Sequence, residues 1–469
     1  MKLQDTLCNL EQILDISKTV KIYLCGVTVY DESHIGHART IIVFDVLRKY
    51  LESKGTKIEF IQNFTDVDDK IINRAKLENT TAEQISLKYI ENYFIDFDAL
   101  NVKRATKYPR ATEHIEEIIN FIIKLIQINS AYVTQNGVYF SVSKFSQYGK
   151  LSKKKIDELQ SGARIEIDES KKDPLDFALW KFSDTLPHWN SPWGNGRPGW
   201  HIECSAMSVK YLGENFEIHG GGRDLIFPHH ENEIAQSESF TQKQYAKIWM
   251  HVGMVTINGE KMSKSLGNIK SIKHVLENWG SNIIRLFCLS GHYSKPIDYS
   301  EELLKENLIK WRQAETCYFE LIHASNQNTQ IQIKSILEQT KNEFDNALES
   351  DFNTHLALSA FFKLVKEVNY LAASEKLGSN DAQEIIPEFQ RMLEILGLVI
   401  PKITLAEKEK VDNIIIAREQ FRKEKKFQEA DKIRDTLYEM NIELIDHAGK
   451  TIWIQKEKIN ADMQAKKSN

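Results

Sequence analysis

Apolar residues in the first part of the chain follow two different spacings. Lys21–Gly26 and Lys57–Asn63 are short, mostly apolar runs of strand length. Between them, Ala38–Lys54 repeats apolar residues at helical spacing, at Ile41, Phe44, Leu47, Tyr50 and Leu51. Strand, helix and strand in this order predict a βαβ unit and therefore a parallel sheet.

The alternation stops near Tyr108 and resumes near Phe216. The intervening segment predicts a helix over Thr112–Ile128, a hairpin-like stretch over Ala131–Val142, and a loop over Pro187–Gly199 rich in Trp, Pro and Gly. The alternation then returns as strand, helix and strand, over Phe216–His219, His229–Phe240 and Ile248–Val252. We interpret residues 108–199 as an insertion between two halves of a doubly wound parallel sheet.

Helical periodicity dominates beyond Tyr299. Helices are predicted over Glu301–Ala324, Ile331–Leu348, His355–Ala373 and Pro387–Leu396. A smaller unit follows Pro401, with helices over Leu405–Lys425 and Phe427–Met440 and strands near Ile442–Ile445 and Thr451–Ile454. We therefore expect an α/β, Rossmann-type domain, a helical bundle and a small α+β carboxyl-terminal domain. The expected boundaries are 1–107, 108–199, 200–300, 301–400 and 401–469.

Composition narrows the class of protein. With 469 residues, 42% hydrophobic and 27% charged, the chain has the balance of an ordinary soluble protein of several domains. No apolar run approaches the roughly 18 residues that span a bilayer, and residues 1–7 have no signal-peptide pattern, so we expect no membrane association and a cytoplasmic location. The net charge of −5 means that RNA binding would need local basic patches. Five scattered cysteines indicate metal binding or simple burial rather than disulfides.

The first candidate for chemistry is His34-Ile35-Gly36-His37, between the first strand and the first helix. Helix amino termini bind phosphate, Gly36 leaves room for a nucleotide, and two imidazoles can donate hydrogen bonds to a polyphosphate. Four residues alone are a weak signal, and a solvated loop is an equal alternative.

The second candidate is the loop Lys261-Met262-Ser263-Lys264-Ser265-Leu266-Gly267-Asn268, which follows a strand and the turn Asn258-Gly259. Its two ammonium groups suit the β- and γ-phosphates of ATP during attack on the α-phosphate. Alone, it would be interpreted as a solvated Lys/Ser loop. Together, on opposite halves of an interrupted parallel sheet, the two segments resemble the signature motifs of class I aminoacyl-tRNA synthetases.

Four residues have the chemistry of metal ligands: Cys25, Cys204, His229 and Glu233. His229 and Glu233, four residues apart, would share one helix face. Two thiolates, one imidazole and one carboxylate suit a tetrahedral zinc site. Taken singly, each has an ordinary alternative, because cysteines are often just buried and a His–Glu pair often lies on a helix surface.

Longer segments resemble cysteinyl-tRNA synthetases, and the resemblance runs from about residue 20 to about residue 450. It is carried by Tyr23–Asp31, His34–His37, Asn63–Lys70, Gly196–Cys204 and Pro228–Glu233. The resemblance implies zinc, one ion per chain, on Cys25, Cys204, His229 and Glu233, with His201 and His230 outside the ligand set. It implies a cysteine pocket lined by Thr65, Trp200, His219 and Asp224.

The resemblance also implies a two-step reaction. ATP with Mg²⁺ would be held by His34, Gly36, His37 and Lys264, with Lys261 and Lys264 stabilising pyrophosphate. Cysteinyl-adenylate would then pass its cysteinyl group to tRNA(Cys). The expected partners are thus L-cysteine, ATP and tRNA(Cys), and the expected state is a monomer. Zinc would recognise the thiol, since an apolar pocket separates near-isosteres such as serine by only about 10–200-fold.

The carboxyl-terminal unit is expected to read the anticodon, with Arg and Trp side chains stacking on single-stranded bases. Its basic residues alternate with acidic ones, so a solvated helix face is a reasonable alternative. The sequence departs from the family pattern at three places: Val27 and His355 replace expected prolines, and Ile454-Gln455 replaces a usual arginine after Trp453. The last departure puts an arginine contact near the anticodon in doubt.

Three other functions are consistent with parts of this pattern. A ligase joining cysteine to a small amine would lack the carboxyl-terminal unit, and this chain continues past Pro401. A tRNA-binding protein without catalysis predicts damaged signature motifs, whereas both are intact. A zinc hydrolase gives no reason for the Lys261–Ser265 loop.

Overall fold

The computed structural model describes residues 1–154, 169–262, 267–324, 333–400, 404–447, 450–456 and 459–460. The strands, in chain order, are β1 Lys2–Asp5, β2 Leu10–Ile13, β3 Val20–Leu24, β4 Ile58–Gln62, β5 Ala131–Val133, β6 Gly137–Phe140, β7 Phe177–Phe182, β8 Gly196–Pro198, β9 Phe216–Gly222, β10 Ala246–Val252, β11 Val255–Ile257, β12 Glu260–Lys261, β13 Ile297–Asp298, β14 Ile442–His447 and β15 Lys450–Gln455.

The α-helices are α1 Ile35–Ser53, α2 Asp69–Leu77, α3 Ala82–Ala99, α4 Ile115–Gln127, α5 Trp200–Leu212, α6 Glu231–Thr241, α7 Ile272–Leu289, α8 Glu301–His323, α9 Ile333–Glu349, α10 Thr354–Ala373, α11 Ser379–Leu396, α12 Leu405–Lys423 and α13 Phe427–Glu439. A π-helical turn over Ile226–His230 precedes α6. Among the described residues, no helix is long and apolar enough to cross a membrane.

The central sheet is parallel, with strand order β10-β9-β3-β4. Tyr23 in β3 lies opposite Ile61 on one side and His219 on the other, so the first and second halves of the sheet meet between β3 and β9. In open parallel sheets, ligands bind beyond the carboxyl ends of the strands at such a switch point. The predicted α/β fold class is confirmed.

Both faces of the sheet are covered. Ile22 and Leu24 pack into the core that includes α1, whereas Tyr23 and Cys25 pack into the core that includes α5, as the two-residue period of a strand requires. Gly220 in β9 permits the close approach of α1, because a Cβ there would lie 2.0 Å from the Phe44 ring. Packing on the opposite face brings α5 and its Cys204 against Cys25 at the carboxyl end of β3.

The predicted insertion forms a separate antiparallel sheet, in the order β5-β6-β7-β8, with a core of its own. Its core continues onto α5 and α6 through Ile202, Ala206 and Ala235, so the insertion supports the helices that carry the site. The predicted hairpin over Ala131–Val142 is confirmed, with β5 and β6 as its antiparallel strands. One prediction of detail was wrong, because the predicted loop over Pro187–Gly199 contains β8, which pairs with β7.

The region beyond residue 300 is helical as predicted, but α11 begins at Ser379 rather than at Pro387, which lies inside the helix. An unpredicted amino-terminal hairpin, β1–β2, packs beside β10, where Asp5 accepts from the Trp249 amide at 2.8 Å. Trp453 in β15 is buried against Phe319 and donates to Asp412. This side chain therefore attaches the carboxyl-terminal unit to α8, and the prediction of a Trp available for base stacking was wrong at this position.

Candidate active site

The four predicted metal ligands lie together at the carboxyl edge of the sheet. Cys25 directly follows β3, Cys204 lies in α5, His229 lies in the π-helical turn and Glu233 lies in the first turn of α6. All four are buried, and one ligand atom of each falls within 4.8 Å of the others. His229 thus precedes the helix that we predicted to begin at it, and the turn still directs its Nε2 to 3.1 Å from a Glu233 oxygen.

The spacing of these atoms fits a tetrahedral ion. The two sulfur atoms are 3.8 Å apart, and the Cys25 sulfur lies 3.2 Å from Glu233 Oε1. A tetrahedral zinc with bonds of about 2.3 Å to sulfur separates two sulfur ligands by about 3.8 Å. Sulfur, nitrogen and carboxylate oxygen are also the donors that zinc takes in proteins. The residues present therefore fit a zinc ion.

The charges of the cluster are mutually dependent. Burial opposes ionisation of Cys204, but its contacts with Cys25 and His229 lower its pKa to about 6. Burial likewise opposes protonation of His229, but Glu233 and Cys204 raise its pKa to about 10. His219 and His229 hold the pKa of Glu233 well below its usual range despite burial. Burial, then the neighbouring Cys204 and Glu233, raise the pKa of Cys25 well above its usual range, so this thiol keeps its proton while Cys204 and Glu233 are anionic. Metal binding would displace the protons on Cys25 and His229.

Neighbouring side chains orient two of the four residues, Glu233 and His229. His219 Nε2 lies 2.9 Å from Glu233 Oε2, to which the Tyr245 hydroxyl also donates at 3.1 Å. His201 Nδ1 lies 2.9 Å from Nδ1 of His229, which leaves the Nε2 of that ring facing Glu233. Such partners fix the tautomer and direction of metal-binding side chains.

The residues predicted to line an amino-acid pocket are divided between two places. Trp200 is 37% exposed, and its ring centroid lies 4.2 Å from that of His229. His219 contacts the Glu233 carboxylate through its Nε2. Thr65 is buried and pairs through its backbone with Thr28, beside Cys25 and Gly26. Asp224 is half-exposed in the turn directly after β9, with a carboxylate oxygen 3.8 Å from the Lys261 ammonium.

The first signature segment caps α1. His34 is the N-cap residue, and its Nδ1 accepts from the Gly36 amide at 3.1 Å, while Nδ1 of His37 accepts from the His34 amide at 3.4 Å. The two rings stack with centroids 3.7 Å apart. Gly36 makes room for the His34 ring, since a Cβ there would lie 3.0 Å from it. The segment thus presents two imidazoles at the positive end of a helix.

The second signature segment lies next to the first. Lys261 ends the hairpin β11–β12, and the Met262 methyl group lies 3.4 Å from where a Gly36 Cβ would be. His34 pairs with Ser271 beyond the loop, and the Ile35 amide donates to the Lys270 carbonyl at 3.0 Å. Lys264 lies outside the described residues, so its predicted role stays a prediction.

Comparison with known proteins identifies the family. Residues 12–308 match the family model described as tRNA synthetases class I (C) catalytic domain, and residues 343–400 match the DALR domain. A cysteine–tRNA ligase of Thermodesulfovibrio yellowstonii is 48% identical over 98% of this chain and 100% of its own length. One of Caldicellulosiruptor saccharolyticus is 46% identical over 95% of this chain and 98% of its own length.

The chain belongs to the cysteine–tRNA ligase family.

Solved structures agree on the fold of this cysteine–tRNA ligase family member. Methionyl-tRNA synthetase of Mycobacterium tuberculosis, in complex with methionyl-adenylate, matches with a TM-score of 0.61 at 15% identity, over 81% of this chain and 89% of its own. A leucyl enzyme of Agrobacterium radiobacter, in a ternary complex described as LeuRS-tRNA-LeuAMS, matches with a TM-score of 0.62 at 9% identity, over 81% of this chain and 84% of its own. The predicted family and enzyme class are confirmed.

A second group of donors overlaps the first in this family member. Cys25, His219, His230 and Glu233 also lie within 4.8 Å of one another. This second group has one thiol where the first has two. The two-thiol group is the better match to zinc, which takes sulfur readily.

The sequence analysis missed residues that complete the site. Asn63 Oδ1 accepts from the Gly26 amide at 2.9 Å and lies 3.6 Å from the Cys204 sulfur. A usable signal existed, because Asn63 follows β4, whose carboxyl end must lie beside that of β3. Tyr245 precedes β10 and had no such signal, since its contact with Glu233 depends on how α6 packs.

Proposed function

We propose that this protein attaches L-cysteine to tRNA(Cys) in two steps. The cysteine carboxylate attacks the α-phosphate of ATP, which forms cysteinyl-adenylate and releases pyrophosphate. A terminal ribose hydroxyl of the tRNA then attacks the acyl carbon, and AMP leaves. One observation carries the proposal: the four-donor cluster and the two signature segments lie at the same edge of the sheet.

In this proposal Cys25, Cys204, His229 and Glu233 hold zinc. The ion would supply affinity for a thiolate, which a serine hydroxyl cannot match. His219 and Tyr245 hold the Glu233 carboxylate, and His201 holds the His229 ring, so the donors keep their directions when no substrate is bound. Trp200 covers His229 at the edge of the cluster and would exclude water from the amino-acid side chain.

The chain's own residues would act mainly by positioning and by electrostatic stabilisation. His34 and His37 at the start of α1 would donate to the phosphates of ATP, whose Mg²⁺ accompanies it. Lys261, with Lys264 further along the same loop, would stabilise the departing pyrophosphate. Asp224, now close to Lys261, would be available for the substrate ammonium group when the lysine turns to the phosphates.

The carboxyl-terminal unit would contact the anticodon. Phe427 and Tyr438 of α13 are about half-exposed aromatic rings, suited to stacking on unpaired bases. Arg418, by contrast, is buried and pairs with Asp446, so it stabilises the unit rather than binding RNA. The domain boundaries given above remain part of this proposal.

The decisive experiment is exchange of labelled pyrophosphate into ATP. We expect exchange to depend on cysteine, to proceed without tRNA, and to be absent with serine; charging of a tRNA(Cys) transcript should follow in the same preparation. Lys261→Ala should slow exchange about 100-fold with little change in cysteine affinity. Lys273→Ala in α7 is the matched surface control. Exchange that requires no cysteine would refute the proposal.

A further inference from the structure

The signature hairpin, residues 253–262, joins the rest of the catalytic domain at two places. On its distal side, beyond the signature loop, the Ile35 amide donates to Lys270 and the Ile272 amide donates to Ser33. These backbone hydrogen bonds tie the end of the loop to the His34–His37 segment. The proximal side, Gly253 and Met254, also has backbone hydrogen bonds, from the Gly253 amide to the Tyr293 carbonyl and from the Ile297 amide to the Met254 carbonyl, but it has a side-chain contact in addition.

The additional contact on the proximal side is made by the side chain of Arg39, in the second turn of α1. Nη1 of Arg39 donates to the carbonyls of Gly253 and Met254, both at 3.0 Å. Its Nη2 donates to the carbonyls of His292 and Lys295, at 3.2 and 2.6 Å. One guanidinium therefore connects the hairpin, the segment before β13 and the helix of the first signature segment.

This arrangement is costly and specific. Arg39 is fully buried, and burial lowers its pKa to about 10, so the group is still charged at neutral pH. Burying a charge is unfavourable unless it is well hydrogen-bonded. A planar fork can reach four carbonyls at fixed angles, which the single ammonium of lysine cannot do. Gly253 permits the contact, because a Cβ there would lie 2.1 Å from the Lys295 carbonyl oxygen.

We propose that Arg39 is a positioning residue. It holds Gly253 and Met254, where the signature hairpin begins, against α1, so that Lys261 and the two signature histidines face the same ATP. The inference rests on the proposed function, since it gives Arg39 its effect through ATP. Arg39 touches no reacting atom. It acts through Gly253 and Met254, from which β11 and β12 lead to Lys261.

The test compares Arg39 with a second buried arginine of the same helix. Arg48 lies nine residues further on, about 13 Å along α1. It donates to the Arg104 carbonyl at 2.6 Å and to Glu52 at 3.0 Å, far from the signature segments. Arg39→Gln, Arg39→Lys and Arg48→Gln would be compared in the full-length protein for melting temperature, exchange kinetics and trypsin cleavage at the Lys261–Met262 bond.

We expect Arg39→Gln to lower kcat/KM for ATP about 100-fold, the size of effect that a misplacement of about 1 Å produces. Cysteine affinity should stay within about twofold, because the metal cluster lies on other elements. Cleavage after Lys261 should become about tenfold faster, as the hairpin opens more often. Arg39→Lys should show a smaller decrease in kcat/KM for ATP and a smaller increase in cleavage rate than Arg39→Gln. Arg48→Gln should lower the melting temperature without either effect.

Two results would overturn the inference. The first is an equal loss of ATP and cysteine parameters in Arg39→Gln and Arg48→Gln, which indicates a purely structural role. The second is unchanged cleavage after Lys261 in Arg39→Gln. The cleavage assay needs no enzymatic activity, so it still decides the matter if the wild-type protein shows no cysteine-dependent exchange and the proposed function fails.

Discussion

The guanidinium of Arg285 in α7 lies 2.6 Å from the carboxylate of Asp45 in α1, and both side chains are almost completely buried. Nε of Arg285 donates to the Leu396 carbonyl at 2.8 Å, at the end of α11, and Nη1 donates to Leu100 at 3.0 Å. One side chain thus joins the catalytic domain to the helical region. Gly397 allows this, because a Cβ there would lie 2.1 Å from the guanidinium.

Removing this arginine should destabilise the protein strongly. Arg285→Met removes one of the cations that pair with the buried Asp45, and it removes the donor to the Leu396 carbonyl. The loss should lower the free energy of unfolding by about 3–5 kcal/mol. Urea denaturation would measure the loss. The control is Arg391→Met, whose side chain is 25% exposed, so that solvent screens its pairs with Asp345 and Glu388 and its loss should cost less. Equal losses in the two variants would contradict this account.

The second prediction concerns metal content. Purified protein should contain about one zinc per chain, as a single four-ligand site requires. Cys204→Ala should lose most of it, because the thiolate is a ligand. Cys288→Ala is the matched control, since Cys288 is equally buried but lies in an apolar core, where burial raises its pKa to about 12. Elemental analysis of both variants gives the answer; full zinc retention in Cys204→Ala and Cys25→Ala would refute the ligand assignment.

Local patterns predicted much of the fold. Ile22, Leu24, Phe44 and Leu47 follow strand and helix periods, and these residues do form the core between β3 and α1. Boundaries were less predictable where tertiary contacts override local preference. Pro387 normally marks a helix start, yet α11 begins eight residues earlier, where Asp381 accepts from the Gly378 amide.

The site was predictable to the extent that it depends on strand ends. Cys25 follows a strand, and the resemblance to a family selected Cys204, His229 and Glu233 from among neighbouring candidates; the structure brings these four together. The supporting contacts were not predictable. Thr6 reaches His251 at 2.9 Å only because an amino-terminal hairpin docks beside β10, and neither the hairpin nor its docking has a local pattern that identifies it.

The third prediction is a dependence of stability on pH. Burial, and then the charge of Glu32, raises the pKa of Asp96 to about 6. Ionising Asp96 therefore costs more in the folded than in the unfolded protein, where its pKa is about 3.9. The penalty is absent below about pH 4 and complete above about pH 6. Relative to wild type, Asp96→Asn should gain about 1–3 kcal/mol of unfolding free energy between these values.

Asp98, two residues along α3, provides a control of opposite sign. A hydrogen bond from Arg104 lowers the pKa of Asp98, so its ionised form contributes stability at neutral pH that is lost as pH falls through the lowered pKa. Asp98→Asn should therefore lose a little stability at pH 7 and none at low pH. Urea titrations at pH 4, 5, 6 and 7 would compare both variants; parallel curves for Asp96→Asn and wild type would show that Asp96 ionises without penalty.

The last prediction tests how cysteine is distinguished from serine. If the proposed zinc reads the sulfur directly, serine should be rejected at binding and activation by at least about 10⁴, more than an apolar pocket achieves. Protein in which cobalt replaces zinc should show a sulfur-to-metal absorption band from Cys25 and Cys204. That band should grow when cysteine is added and stay constant with serine, and cysteine binding should release a proton.

Trp200→Phe is the control for pocket shape, because it keeps an aromatic ring beside His229 and leaves all four donors in place. It should preserve the spectral response to cysteine even if affinity changes. A cobalt spectrum indifferent to cysteine would leave the metal a structural role. Selectivity would then depend on the shape of the pocket around Thr65 and Trp200, and a difference of one atom is too small for shape to supply a factor of about 10⁴.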